Sequence, residues 1–307
     1  MRAILIGAVE STRIALRCLA AAPRWDLAAV FTLPVDLASR HSDFIDLAAE
    51  TEKAGSRIVR VKNINSEAAL AAIHDIAPDY IFVIGWSQIC GEQFMASAKR
   101  GVVGYHPAPL PRLRGRAVIP WTILLDEPIS ASSLFLIDAG VDSGPLLAQR
   151  YFHLAPDETA ATLYAKHMAK LEEMLPGVLD DIASGAPALS VQDERCATYA
   201  ARRRPEDALI DWAQPASLIW RCVRACGDPY PGAWTSLGGD RITIEAAVPV
   251  PLGHHAAAMA GQVVERTGES FTVKCGDGQG LRVTRWRTAR EAPLPNHAIL
   301  GRDAAAA

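Results

Sequence analysis

No Gly-x-Gly-x-x-Gly follows the first apolar run of this 307-residue chain, which removes the main support for dinucleotide binding and hydride transfer. Cysteine is sparse. Cys18, Cys90, Cys196, Cys222, Cys226 and Cys275 form no Cys-x-x-Cys pair and no His–Cys ligand spacing. That argues against a structural metal, and the pattern suits a reducing, cytoplasmic setting. Cys222 and Cys226 stand four apart in an apolar helical pattern, where buried core thiols are a commoner outcome than metal ligands. Long apolar runs are also missing. No stretch approaches the roughly 18 residues of a membrane span, and MRAILIGAVE lacks the apolar run and small-residue cleavage site of a signal peptide. Charge of one sign is not in excess: 31 Lys and Arg against 34 Asp and Glu give a net charge of -3, which weakly opposes binding a polyanion over a large face.

What the chain does have is apolar mass and alternation. Half of its residues are hydrophobic, enough for large cores, and its length suits two domains. Residues 3–7 read as a buried strand running into a helix over 12–21. Strand signals recur at 27–32, 57–61 and 80–84, with helical patterns at 44–54 and 66–76 and a polar loop at 34–43. This alternation predicts an α/β, doubly wound, Rossmann-like parallel sheet. After Gly101 come a strand VVGYH, a proline-rich loop, a helix over 118–125, and strands at 131–137 and 145–152 around the turn IDAGVDSG. A long amphipathic helix over 158–184, punctuated near Pro176, closes the first domain. We place that domain at 1–190, a polar and basic linker at 191–207, and a second domain at 208–303. A helix over 215–225, the turn DPYPGAW and short strands at 241–246, 261–265, 270–275 and 281–286 predict a small OB-like β-barrel there. His254 and His255 read as solvent-facing loop residues rather than metal ligands, and residues 304–307 as a frayed end.

A sheet of this class binds ligands at the carboxyl ends of its strands. Two unusual segments fall there: GVVGYHPAPLPRLRGRAVIPW at 101–121 and DAGVDSG at 138–144. His106 leaves a strand end into a loop stiffened by Pro107, Pro109 and Pro111, and rigid backbone around one imidazole suits a positioned acid or base. Asp142 lies in a turn whose glycines, Gly140 and Gly144, permit close backbone approach. A carboxylate near an imidazole fixes its tautomer and favours its protonated form. Taken singly, each has a plainer reading. Strand-end histidines are more often satisfied structural residues, and Asp in a glycine turn is more often a turn former.

Together the two segments resemble the signature of the folate-dependent formyltransferases, Asn-x-His-x-Ser-Leu-Leu-Pro-x-x-Arg-Gly followed by Asp-x-Gly-x-Asp-x-Gly. The matching stretches run from Gly104 to Gly115 and from Asp138 to Gly144, and ALIDWAQPASLIWRCVRACGDPYPGAW at 208–234 resembles the start of the family's barrel domain. The likeness covers nearly the whole chain. It implies an enzyme that moves a formyl group from 10-formyltetrahydrofolate, its co-substrate, to a primary amine without a metal. It also implies catalytic roles for His106 and Asp142. The family's third catalytic residue, an asparagine, is Gly104 here. Losing one oxyanion donor commonly costs about a hundred- to a thousandfold in rate. Three explanations stay open: a donor from Gln88, Ser87, Tyr105 or a backbone N–H; a more reactive nucleophile; or a silent folate-binding homologue.

By the same resemblance, the loop holding Trp86, Ser87, Gln88 and Ile89, together with Leu110, Arg114, Gly115, Asp138 and Gly140, forms the folate site. Trp86 either walls that pocket or packs as core. Arg112, with Arg114 and Arg116 beside it, orients a folate glutamate or a substrate phosphate, or is a solvated loop charge. Arg202, Arg203 and Arg204 are candidates for gripping a diphosphate, with an exposed charge run as the plainer reading. The stretch ARRRPEDALIDW resembles the branch that forms 4-formamido sugar nucleotides, so a 4-amino-4-deoxy sugar nucleotide is the leading acceptor. Methionyl-tRNA is the rival. Members that bind tRNA usually carry a longer basic loop after the second strand, whereas residues 34–43 hold only Arg40 and His41 against Asp36 and Asp43. Hydroxylated ornithine is a third candidate. No membrane partner is expected, and a homodimer is compatible with the sequence.

Overall fold

The computed structural model describes residues 1–40, 43–254, 257–289 and 294–302; His41, His255, the boundary at 303 and the end at 304–307 lie outside the described residues. Two compact units emerge. The first comprises Met1–Val118, Ile129–Leu154 and Tyr164–Ala201, and the second Ile119–Pro128, Ala155–Leu163 and Arg202–Ala307. Residues 191–201 cluster with the first unit, and two segments that precede them in sequence cluster with the second.

The first unit follows the order β1 (Arg2–Ile6), α1 (Glu10–Ala21), β2 (Asp26–Thr32), α2 (Ala48–Lys53), β3 (Arg57–Arg60), α3 (Glu67–Ile76), β4 (Tyr80–Val83), α4 (Glu92–Met95) and β5 (Gly101–His106). Then come β6 (Arg114–Gly115), β7 (Ile129–Leu136), β8 (Leu146–His153), α6 (Ala160–Ser184, in this unit from Tyr164 on) and β9 (Tyr199–Ala200), with α5 (Val118–Leu124) between β6 and β7 counted with the second unit from Ile119 on. Seven strands form one sheet in the order β3-β2-β1-β4-β5-β7-β8. The first five run parallel, while β7 is antiparallel to β5 and to β8, so the sheet is mixed rather than all-parallel. The short 138–144 turn explains the antiparallel β7–β8 pair, because parallel neighbours need a crossover of about a dozen residues or more. Residues 34–43 also carry a 3-10 turn, Val35–Arg40, where a plain loop was expected.

Period-two alternation builds two cores. Ala3, Leu5, Phe82, Val103 and Leu134 face one way, onto Ile14 and Leu19 of α1 and Leu171, Leu175 and Leu179 of α6. Ile4, Ile6, Phe31, Ile81 and Val102 face the other way, onto Ala69, Ile73 and Ile76 of α3 and Phe94 of α4. Each fully buried Leu, Ile or Phe contributes about 1.5–3 kcal/mol. The same burial carries α6 through Pro176 without the expected break, since Met174, Leu175, Val178 and Leu179 around it are buried. A proline inside a helix forfeits one backbone hydrogen bond, and the packed flank offsets that loss.

The second unit holds α7 (Ala216–Cys226) and β10 (Ala233–Leu237), β11 (Asp240–Val250), β12 (Val263–Thr267), β13 (Ser270–Lys274) and β14 (Gly280–Thr288). The strands form an antiparallel sheet in the order β10-β11-β14-β13-β12, with Ile242, Ile244, Phe271, Val273, Leu281 and Val283 buried on it. Among the described residues, no ladder joins β10 to β12. Strand β10 begins within the DPYPGAW stretch, at Ala233, and gives no separate strand signal in the sequence.

Candidate active site

The unusual residues converge at the carboxyl end of the first unit's sheet. His106 ends β5 and is 6% exposed. Its Nε2 lies 2.7 Å from the carbonyl oxygen of Leu113, and its Nδ1 lies 3.6 Å from Asp142 Oδ2. An oxygen acceptor thus faces each ring nitrogen. Leu113 presents that carbonyl from a left-handed backbone, φ +58. Asp142 is also left-handed, φ +51, a conformation that Asp tolerates better than most residues. Its Oδ2 accepts a hydrogen bond from the Gly115 backbone N–H at 2.8 Å. The imidazole and carboxylate are therefore aimed by backbone groups of the 113–115 loop.

The turn carrying Asp142 is built by its own residues. Asp138 Oδ1 accepts from Gly140 N–H at 3.0 Å and from Ser143 Oγ at 2.7 Å. Asp138 is thus placed first as a turn former. A Cβ on Gly144 would lie 1.7 Å from the Leu136 carbonyl oxygen, so the turn requires glycine there, while one on Gly140 would lie 2.0 Å from Ser143 Oγ and displace that hydroxyl. Gly115, at φ +104, packs against the Ala200 carbonyl.

Gly104 sits two residues before His106 on the same face of β5. A Cβ there would lie 2.7 and 2.8 Å from the Phe135 ring and 3.0 Å from Ile137. Apolar side chains fill the room that an asparagine would need. Two of the considered replacement donors are engaged elsewhere. Tyr105 points to the opposite face, where its hydroxyl meets Ser132 Oγ at 3.1 Å and the His167 carbonyl at 3.2 Å. Gln88 donates to the Lys62 carbonyl at 2.8 Å and accepts from Ile64 N–H at 3.1 Å. Ser87 is exposed.

The loop after β4 starts at Gly85, φ +79, where a Cβ would strike Val9, Ser11 and Thr12. Gln88 ties this loop to residues 62–64, and Asn65 ties it again by donating to the Ile89 carbonyl at 2.9 Å and accepting from Gly91 N–H at 2.8 Å. The Ile89 side chain itself is 82% exposed. Trp86 packs against the core cluster that Phe94, Val83 and Val102 share, and its indole N–H is buried with no hydrogen-bond partner among the described residues.

Arg114 departs most from expectation. It is fully buried, and every guanidinium nitrogen is engaged: Nε and Nη2 donate to Gln192 Oε1 at 3.2 and 2.9 Å, Nη1 and Nη2 to Glu194 at 2.9 and 2.6 Å, and Nη1 to Tyr199 at 3.2 Å. No donor remains for a folate, so its side chain is an anchor, and the Glu194 carboxylate beside it raises its already high pKa. Leu110 is buried at 2% exposure, leaving its carbonyl bonded to Gln149 at 2.9 Å. Arg112 and Arg116 are exposed on this loop. Arg202, Arg203 and Arg204 belong to the second unit, where Arg203 stacks 5.1 Å above the Trp121 ring and donates to the Asp207 carbonyl at 2.6 Å. No group of three or more metal-binding side chains occurs among the described residues, and no described helix is long and apolar enough to cross a membrane.

With this geometry in view, comparison with known proteins gives a consistent answer. Residues 25–179 match the family model described as "Formyl transferase", and residues 203–302 match "Formyl transferase, C-terminal domain". A methionyl-tRNA formyltransferase of Roseiflexus castenholzii is 32% identical over 299 residues, covering 96% of this chain and 94% of its own. Among solved structures, WlaRD, a sugar 3N-formyl transferase, superimposes with a TM-score of 0.67 at 16% identity, covering 95% of this chain and 99% of its own. An N-formyltransferase from Helicobacter canadensis, solved with folinic acid and dTDP-3-aminofucose, gives 0.64 at 16% identity, covering 92% and 98%. A match spanning both halves of the chain, at that level of identity, makes it a member of the formyltransferase family.

Proposed function

We propose that the enzyme transfers a formyl group from 10-formyltetrahydrofolate to the primary amine of a small acceptor, a 4-amino-4-deoxy sugar nucleotide. The His106–Asp142 pair, 3.6 Å apart at the carboxyl end of the central sheet, carries this reading. When bound, the folate supplies the carbonyl carbon that the amine attacks. The residues present fit such a group. Trp86 offers a buried N–H without a partner among the described residues, and Gln88 and Asn65 tether the 85–91 loop to residues 62–65. Asp142 keeps the His106 ring oriented, and the oxygen on which charge develops would take the place of the Leu113 carbonyl at Nε2. Phe135 and Ile137 close the Gly104 side and exclude water there.

Two observations bear on the acceptor. The Val35–Arg40 turn is short and includes Asp36, which favours a small acceptor over a large polyanion. The Roseiflexus relative favours the second reading, methionyl-tRNA. The deciding experiment incubates the protein and 10-formyltetrahydrofolate with UDP- and dTDP-amino sugars or with methionyl-tRNA. Tetrahydrofolate release and the mass of the product are followed together. Tetrahydrofolate with free formate and no formylated amine in any arm would sink the transferase reading in favour of a hydrolase. No release at all, with folate bound, would favour a silent homologue.

A further inference from the structure

The geometry points to Gln192 as a positioning residue that locks the reacting carboxylate in register with the imidazole. This inference rests on reading His106 and Asp142 as the reacting pair. Gln192 lies in a polar stretch with no sequence motif, yet it is 6% exposed. Its amide nitrogen donates to the Asp142 carbonyl at 2.8 Å and to the Gly144 carbonyl at 2.7 Å. Its amide oxygen accepts both the Nε and the Nη2 of Arg114. One side chain thus spans two loops that are far apart in sequence.

The consequence follows from how the ring of contacts closes. Arg114 is covalently joined to Gly115, whose N–H holds Asp142 Oδ2 at 2.8 Å. Gln192 grips the same aspartate from behind, through its carbonyl. The chain from Arg114 to Gly115, across to Asp142 and back through Gln192, returns to Arg114. A left-handed aspartate in a glycine-flanked turn has little intrinsic preference for one position, and backbone tethers on both sides supply it. Glu194, on the solvent side, saturates the rest of the guanidinium and keeps Arg114 from swinging toward the cleft. Gln192 touches neither ring nor carboxylate, so its effect passes through Asp142 alone.

The test uses Gln192→Glu. Glutamate keeps the acceptor for Arg114 but presents an oxygen to two carbonyls, losing both donors to the turn. With whichever acceptor the wild type formylates, kcat should fall on the order of tenfold to a hundredfold. The KM for 10-formyltetrahydrofolate should change less than kcat does, because Gln192 ties the turn that carries Asp138 and Gly140 but leaves the 86–89 loop untouched. In an Asp142→Asn background, Gln192→Glu should cost almost nothing further, since both changes disable one unit. Independent, multiplying losses in the double variant would overturn the proposal, as would a loss confined to KM. Should the wild type prove inactive with every amine, formyl transfer falls but the positioning claim is still decided by the ring 15N resonances of His106. Their displacement in Gln192→Glu should follow that in Asp142→Asn, and unchanged resonances would overturn it. If Gln192→Glu fails to fold, Gln192→Met, of similar length and without donors, replaces it in every arm.

Discussion

Two glycines border the candidate site, and they are glycines for different reasons. At Gly144 a side chain would run into backbone, 1.7 Å from the Leu136 carbonyl oxygen. At Gly104 it would run into side chains, 2.7 Å from the Phe135 ring and 3.0 Å from Ile137. Backbone cannot step aside without undoing β7, whereas a ring can be trimmed or turned. The Asp142 side of the site is therefore a fixed frame. The Gly104 side is a packing choice, in which apolar atoms occupy the room where the family carries an amide. The contrast teaches that the missing asparagine is not a simple deletion: its space has been filled.

That contrast assumes that the polar chemistry falls on His106 with Asp142. His106→Ala is the strongest way to break it. Formyl transfer should drop by at least about a hundredfold, as for loss of a general acid or base, while folate binding measured by fluorescence titration stays within a few-fold. Retained turnover would remove the imidazole from the mechanism. Gly144→Ala comes next. The added methyl meets a carbonyl that cannot retreat, so unfolding free energy should fall by about 3 kcal/mol or more. For a chain of this size the melting temperature should drop by roughly 6–12 °C at 2–4 °C per kcal/mol, and activity should be lost with it. Gly104→Ala should cost less, about 1–3 kcal/mol of overpacking. Phe135→Leu in the same chain should recover at least about 1 kcal/mol, a coupling that a calorimetric double-variant cycle reads directly. Additive costs would show that Phe135 does not fill the position.

Which of these features could be read in the sequence follows from how local their physics is. Strands β1 to β5 and helices α1, α3 and α6 announce themselves through period-two and helical patterning, and both faces of the sheet are packed accordingly. His106 and Asp142 stand out because prolines and glycines flank them in sequence. Gln192 could not be seen that way: its partners Arg114, Asp142 and Gly144 lie 48 to 78 residues away, and a lone glutamine in a polar stretch reads as a linker. The burial of Arg114 is hidden from the sequence for the same reason. A charge in a loop looks solvated or ligand-facing until Glu194 and Tyr199, paired with β6 through β9, are found closing over it. The filling of Gly104 depends on Phe135 being its antiparallel partner, which only the β5–β7 register reveals.

A pH-dependent effect separates the two histidines near this sheet. His106 faces an acceptor at each nitrogen, but His167 on α6 is fully buried, with Nδ1 2.9 Å from Ser132 Oγ and Nε2 without a partner among the described residues. Burial, reinforced by repulsion from His106, pushes the His167 imidazole down from 6.5 to about 3. The unfolded chain takes up this proton near pH 6.5 and the folded chain only near pH 3, so between those values the unfolded state binds more protons. Stability contributed by neutral His167 is present above about pH 6.5 and is lost on acidification, by at most about 1.4 kcal/mol per pH unit. His167→Gln keeps a partner for Ser132 and removes the titration. Its denaturant midpoint should fall less steeply than the wild type's between pH 6.5 and pH 4.5. Parallel curves for the two proteins would mean that His167 is already protonated in the folded state, and that burial on this face is less complete than its packing against Phe152 implies.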